Sequence, residues 1–213
     1  MSPPSTTQIL QIYNARRNVL ELLTTSNIDV SQYSHFSIPD VDAMYATKQL
    51  DMLLEHTEGS DYGRVYVKFH LDAKQLRKEN LANIIDDLFV IDQVLTDKTK
   101  DTLIVIVEDE PNDTIVARLR YLHDHDGYFV VLHNIARLQF NIFKSQYVPP
   151  CSVLSPEEAT IALRQFSCLG EALPTISRFD PQALALMLRP GQIVQFTRKS
   201  ITALNYFFYR VCE

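Results

Sequence analysis

Ile9, Ile12, Tyr13, Arg16, Val19, Leu20 and Leu23 fall at helical spacing, with Arg16 and Arg17 leaving on the polar side, which predicts an amphipathic first helix. Pro39-Asp40 opens a second helical pattern that runs through Val41, Met44 and Tyr45 towards Leu53, and Glu58 to Gly63 is a polar break. From Arg64 to Phe69, Val65, Val67 and Phe69 alternate against Arg64, Tyr66 and Lys68, the period of a half-buried strand. Leu76, Asn80, Leu81, Ile84, Ile85 and Leu88 make another helical stripe. Thr102 to Val107 is an unbroken apolar run of strand length, which predicts a strand buried on both faces. A helix over Asp113 to Leu122 and strands near Tyr128 to Leu132 and Leu138 to Phe143 complete the series. Strand, helix, strand, helix, strand predicts an α/β layer.

The last third carries denser signals. Ser155, Pro156 and Glu158 stand where an N-cap, a first helical residue and the partner of a capping box belong. Asp180-Pro181 repeats the device, and the apolar run Ala183 to Leu188 then stops at Pro190-Gly191, a pair suited to a type II turn. Gln192 to Arg198 and Tyr206 to Val211 alternate as strands, and joining them through Lys199 to Leu204 gives an antiparallel hairpin.

The order of these signals resembles the fifth subunit shared by eukaryotic nuclear RNA polymerases, whose C-terminal domain also occurs by itself as a small archaeal polymerase subunit. The residues that carry it are Val148-Pro149, Ser155-Pro156-Glu157-Glu158, Leu173-Pro174-Thr175-Ile176, Asp180-Pro181, Arg189-Pro190-Gly191, Arg198-Lys199-Ser200-Ile201-Thr202, and Tyr206 with Tyr209-Arg210. The resemblance implies an N-terminal mixed-sheet jaw domain flanked by helices over residues 1–145. A small α+β assembly domain with a C-terminal antiparallel hairpin follows over residues 146–213. It implies a non-catalytic subunit, without cofactor, that docks on the largest subunit beside other small subunits and helps guide downstream duplex DNA in the nucleus. A large-virus homologue would instead work in a viral factory or virion.

On this reading the partner-binding residues are Val148, Pro149, Pro174, Ile176, Asp180, Pro181, Gly191, Arg198, Lys199, Ser200, Thr202, Tyr206, Tyr209 and Arg210. The family's jaw also carries a TPSAK-like element after its central strand, which corresponds here to Thr114-Ile115-Val116-Ala117-Arg118. Thr114, at or near a helix start, together with Arg118 and Arg120, are the candidate DNA-backbone contacts. The family pattern also has a histidine after Val-Pro, an arginine inside LPRI, a glutamate after RKS and a glycine-arginine pair before the last strand. Cys151, Thr175, Ile201 and Leu204-Asn205 stand in their places, so apolar contacts replace several polar ones.

Composition narrows the remaining classes. The 213 residues carry a net charge of −6, concentrated before Tyr147, which disfavours nucleic-acid binding by the chain alone because phosphate affinity needs clustered cations. Cys151, Cys168 and Cys212 form no CxxC pair, so neither a disulfide framework nor a zinc site is expected, and a reducing compartment is. The opening MSPPSTTQ has no apolar core, so no secretory signal is expected. His123-Asp124-His125-Asp126, with His133 beyond, has metal-capable side chains but no standard ligand spacing; a polar surface loop is expected. Asp101, Glu108, Asp109 and Glu110 flank the apolar strand as nuclease acids would, but the lysine such a site needs is missing, so solvated strand ends are expected. No GxSxG, Gly-rich phosphate loop or HExxH is present, and five glycines leave little for a phosphate cradle. The aromatics around Tyr206, Phe207-Phe208 and Tyr209 fit a core or a protein interface better than base stacking. The competing class is a free-standing scaffold that binds chaperones or transcription regulators.

Overall fold

The computed structural model describes residues 6–57, 62–71, 73, 75–165 and 172–213. They form two compact units, Met1–Phe140 and Asn141–Glu213, each with its own four-stranded sheet. The fold is mixed α/β followed by α+β.

In the first unit the order is α1 (Thr6–Thr25), α2 (Ile38–Ala46), β1 (Met52–Glu55), β2 (Arg64–His70), α3 (Lys78–Asp86), β3 (Thr102–Val107), α4 (Asp113–Asp124) and β4 (Phe129–Asn134). Strands run β1-β2-β3-β4, with β1 antiparallel to β2 and the other pairs parallel. Parallel neighbours need crossovers, and α3 and α4 supply them. Every residue of β3 and of β4 is buried, as the apolar run predicts for β3. The polar break at Glu58 lies largely outside the described residues.

Three expectations fail here. The second helix stops at Ala46, and Met52–Glu55, expected as its continuation towards Leu53, is a strand. Lys48 takes a φ of +57°, while Gln49 N donates to Met44 O at 2.8 Å and Lys48 N to Tyr45 O at 3.2 Å. That is a Schellman stop built without glycine. α1 ends the same way on Asn27 (φ +58°), with Ile28 N donating to Leu23 O. Leu138 to Phe143, expected as a strand, instead forms short 3-10 turns at Arg137–Gln139 and Ile142–Lys144. Leu138 O accepts from the buried Asn18 side chain at 2.8 Å and so is taken from any sheet ladder. Arg16 does not leave on the polar side. It is 3% exposed, its Nη1 donating to Leu50 O at 2.8 Å, whereas Arg17 is exposed.

Asp101 is also not a solvated strand end. It is buried and accepts backbone N–H bonds from Arg64 (2.7 Å), Thr96 (2.8 Å) and Asp97 (2.9 Å), tying the entry of β2 to the turn before β3. A Cβ on Gly63 would fall on the Asp101 carboxylate, which is why this position has none. Glu110 lies at the surface, paired with Arg137 at 2.7 Å.

His133 is buried on β4, and burial first, then Arg137, lowers its pKa to about 4. The unfolded chain, near 6.5, therefore binds the proton more readily than the fold. Stability is full above pH 6.5 and falls as pH drops towards 4, by about 2 kcal/mol at pH 5. Urea midpoints at pH 7, 6 and 5 should show that decline, and His133→Gln should flatten it over the same window.

The second unit contains β5 (Cys151–Val153), α5 (Pro156–Gln165), β6 (Thr175–Ile176), α6 (Pro181–Ala185), β7 (Ile193–Ser200) and β8 (Leu204–Cys212). Its sheet order is β5-β7-β8-β6. The capping box of α5 is present, Ser155 N donating to Glu158 Oε2 at 2.9 Å and Glu158 N to Ser155 Oγ at 3.3 Å. Asp180 caps α6 by accepting from Gln182 N at 2.9 Å. The expected run to Leu188 is cut short because Met187 takes φ +51° and Leu188 N closes back on Ala183 O. Gly191, at φ +86°, with Gln192 N donating to Arg189 O, makes the expected type II turn. The hairpin pairs further than expected, Ser200 opposite Leu204, so only Ile201 to Ala203 connect the strands.

Candidate functional site

Directly opposed residues of an antiparallel pair share a face. In the β7–β8 hairpin one face therefore carries Val194, Phe196, Arg198 and Ser200 with Arg210, Phe208, Tyr206 and Leu204. Its inner half is core: Val194 and Phe196 pack with Ile176, Ala183, Leu188 and Cys212, and with the half-buried Cys151, Val153 and Phe208. On either side of Phe208 the same face carries an arginine. Arg198 lies over the Phe208 ring at 4.6 Å and Arg210 over the same ring at 5.3 Å. The Arg210 guanidinium also donates to Thr175 O at 3.1 Å. A guanidinium held by ring stacking is pre-oriented and keeps edge N–H donors for a carboxylate or carbonyl.

Towards the hairpin end the chain turns apolar and outward. Ile201 is fully exposed, Leu204 82% and Phe207 59%, with Tyr206 at 41%. Leu204 holds φ +58°, in the place where the resembling family has glycine. Ser200 organises the connection, its Oγ accepting from Thr202 N (3.3 Å) and Ala203 N (3.4 Å). Large apolar side chains at a strand end have no folding reason to face water.

The structure gathers only some of the sequence candidates. Arg198, Tyr206 and Arg210 share one face, while Lys199 and Tyr209 lie on the other. Ile176 is inside the core and so acts on the surface only through packing. Pro174 O accepts from Val211 N, Asp180 and Pro181 start α6, Gly191 makes its turn, and Val148 and Pro149 are half-buried just before β5. Phe207 belongs to the aromatic group expected to form a core or an interface, whereas Ile201 and Leu204 are not among the sequence candidates for partner binding, nor is Arg178, which is buried with its guanidinium over Phe179 at 5.2 Å. Exposed apolar residues in an alternating strand read as core until the partner face is known. Neither described cysteine suits nucleophilic chemistry, because burial raises the pKa of both Cys151 and Cys212 to about 11.

In the first unit the cap of α4 is Asn112, whose side chain accepts from Ile115 N at 2.9 Å; Thr114 lies inside the helix, exposed, and is not the cap. Arg118 sits one turn after Thr114 on the same side and packs over Tyr121 at 5.1 Å. Arg120, two residues on, faces away from Arg118. His123 and Asp124 pair at 3.2 Å, and no group of three or more His, Cys, Asp or Glu side chains that could hold a metal ion occurs among the described residues. No helix there is long and apolar enough to cross a membrane.

Comparison with known proteins bears on the surface just described. The family model "RNA polymerase Rpb5, C-terminal domain" matches residues 140–212. The DNA-directed RNA polymerase subunit Rpo5 of Pyrococcus abyssi is 42% identical over 73 residues, 34% of this chain and 89% of that protein. The chain belongs to the Rpb5/Rpo5 family of RNA polymerase subunits. The Rpo5 subunit of Thermococcus kodakarensis is 38% identical over 76 residues, 36% of this chain and 93% of that protein. That of Archaeoglobus fulgidus is 40% identical over 74 residues, 35% of this chain and 97% of that protein. The part shared with Rpb5 and Rpo5 is thus the second unit, including the stacked arginines and the exposed hairpin end. Family membership places the chain in the transcription machinery.

Proposed function

We propose that this chain is a non-catalytic polymerase subunit that docks through its second unit on the largest subunit, next to other small subunits. Its first unit then forms part of the jaw that guides downstream duplex DNA. The observation that carries the docking is the hairpin end, where Ile201 and Leu204 are exposed, Leu204 on the face that carries Arg198, with Phe207 exposed on the opposite face, within the segment that matches the family model. Exposed apolar residues next to the ring-stacked Arg198 have the composition of an interface centre, in which apolar anchors supply area and arginine supplies direction. Val148, Pro149, Pro174, Asp180, Pro181 and Gly191 shape the surrounding surface through turns. Lys199, Ser200, Thr202, Tyr206 and Tyr209 line the hairpin itself.

The division of labour also follows from charge. With a net charge of −6, the free chain has little affinity for duplex, so Thr114, Arg118 and Arg120 would meet DNA phosphates only when the assembly holds them there. Catalysis and magnesium then belong to other subunits, and the nucleus is the proposed site of action.

The test is affinity purification of the tagged chain from its own cells at high salt, with quantitative mass spectrometry. The wild-type chain should retain a polymerase largest subunit in stoichiometric amount. The double variant Ile201→Asp/Leu204→Asn should lose at least tenfold of it while melting within a few degrees of wild type, since both side chains are solvent-exposed and asparagine tolerates the left-handed backbone at 204. Absence of any polymerase subunit with the wild-type chain would refute docking, and full retention by the double variant would move it to another surface.

A further inference from the structure

Arg16 is a cation inside the first unit with no carboxylate among the described residues to answer it. It is 3% exposed, one of its five donors reaches Leu50 O, and its Nε has no hydrogen-bond partner. What surrounds it is aromatic: Phe36 lies 5.0 Å and Tyr33 5.7 Å from the guanidinium carbon. Burial lowers its pKa, yet an arginine stays charged in proteins, so the fold carries an unneutralised positive charge at reduced polarity. Removing such a charge from water is costly unless something offsets it, and ring faces offset only part.

The same residue forms part of the wall of a cleft of about 220 Å³ that opens to solvent between α1 and the segment from Val30 to Val41. Leu20, Tyr33, Phe36 and Val41 make the lining largely apolar, and the exposed Arg17 adds a second cation. Glu21 is the one carboxylate in that lining, leaving an excess of one positive charge. The volume is below the roughly 300–1,000 Å³ of small-molecule sites, so it suits a side chain or two rather than a cofactor.

We propose that this cleft receives an acidic residue next to an aromatic or aliphatic one in a peptide segment of a partner protein. The carboxylate would be held by Arg16 and Arg17, with the neighbouring apolar side chain against Phe36 and Val41. Charge complementarity selects this occupant: an apolar side chain alone leaves Arg16 unanswered, and a free inorganic anion leaves the apolar lining wet. The site lies in the unit outside the family match and stands independently of the docking proposed above.

The test uses the full chain labelled with nitrogen-15 and titrated with acetyl-Leu-Asp-Phe-amide, its Asn counterpart and inorganic phosphate. The acidic peptide should bind at least tenfold more tightly than the Asn peptide, shifting the amides of Tyr33 and Phe36 and the Arg16 Nε–H. Arg16→Gln should bring the two peptides within twofold of each other. Should that variant fail to fold, Thr24→Trp, which fills the cleft from its exposed rim, should weaken the acidic peptide tenfold instead. Equal binding of the two peptides, a response to phosphate as strong as to the acidic peptide, or shifts confined to other parts of the chain would each overturn the proposal.

Discussion

Asp101→Ala should lower the stability of the first unit by about 3 kcal/mol or more, the largest loss expected there from removing one polar side chain. The magnitude follows from counting donors. Two carboxylate oxygens satisfy three backbone N–H groups, those of Arg64, Thr96 and Asp97, and each donor stranded without water costs about 1–3 kcal/mol. The three sites are only partly buried, so some rehydrate and the lower end of the sum applies. Asp101→Asn keeps one acceptor oxygen and turns an amide towards a donor, so it should fall between wild type and Ala. Glu110→Ala is the control: its pair with Arg137 is exposed and should move stability by less than about 1 kcal/mol. Urea unfolding followed through hydrogen exchange at β2 and β3 checks the series. An Asp101→Ala chain as stable as Glu110→Ala would mean that the turn before β3 holds itself.

Phe196→Ala should be comparably severe in the second unit, at about 3–5 kcal/mol. The ring is 3% exposed and stands at the centre of a core of six buried residues. It sits opposite Cys151 on β5 and Phe208 on β8, so its removal opens a cavity bordered by three strands. The Phe208 ring is also the platform for Arg198 and Arg210, so the loss reaches the outer surface. Amide protection in β7 and β8 should collapse in this variant. Phe196→Leu, which keeps most of the volume, should cost less than about 1.5 kcal/mol. Equal protection in wild type and Phe196→Ala would show that the hairpin is held by its ladder rather than by the core.

The strands and helices legible in the sequence are those whose periodicity and punctuation agree. β3 shows as an unbroken apolar run, α5 and α6 by their caps, and the Arg189 to Gln192 turn by Pro190-Gly191. The helix stops at Asn27, Lys48 and Met187 are far less visible, because a left-handed residue other than glycine leaves no mark in composition. That is why periodicity alone carries the second helix on into β1. The short β5 and β6 escape sequence reading for a related reason: at three and two residues they are strands only because β7 and β8 lie beside them.

For the candidate site the division is sharper. The motif order from Val148 to Arg210 is enough, by sequence alone, to point to the polymerase family, since it records local turns and caps that each residue type specifies on its own. Which side chains face outward is decided by tertiary structure. Ile176 and Phe196 differ from Ile201 and Phe207 not in chemistry but in whether a helix or strand covers them. Likewise, Arg16 and Arg17 are adjacent identical residues, yet packing against Tyr33, Phe36 and Leu50 buries one and leaves the other in water. Local signals fix where elements begin and turn; burial is a property of neighbours distant in sequence, and only the folded chain supplies them.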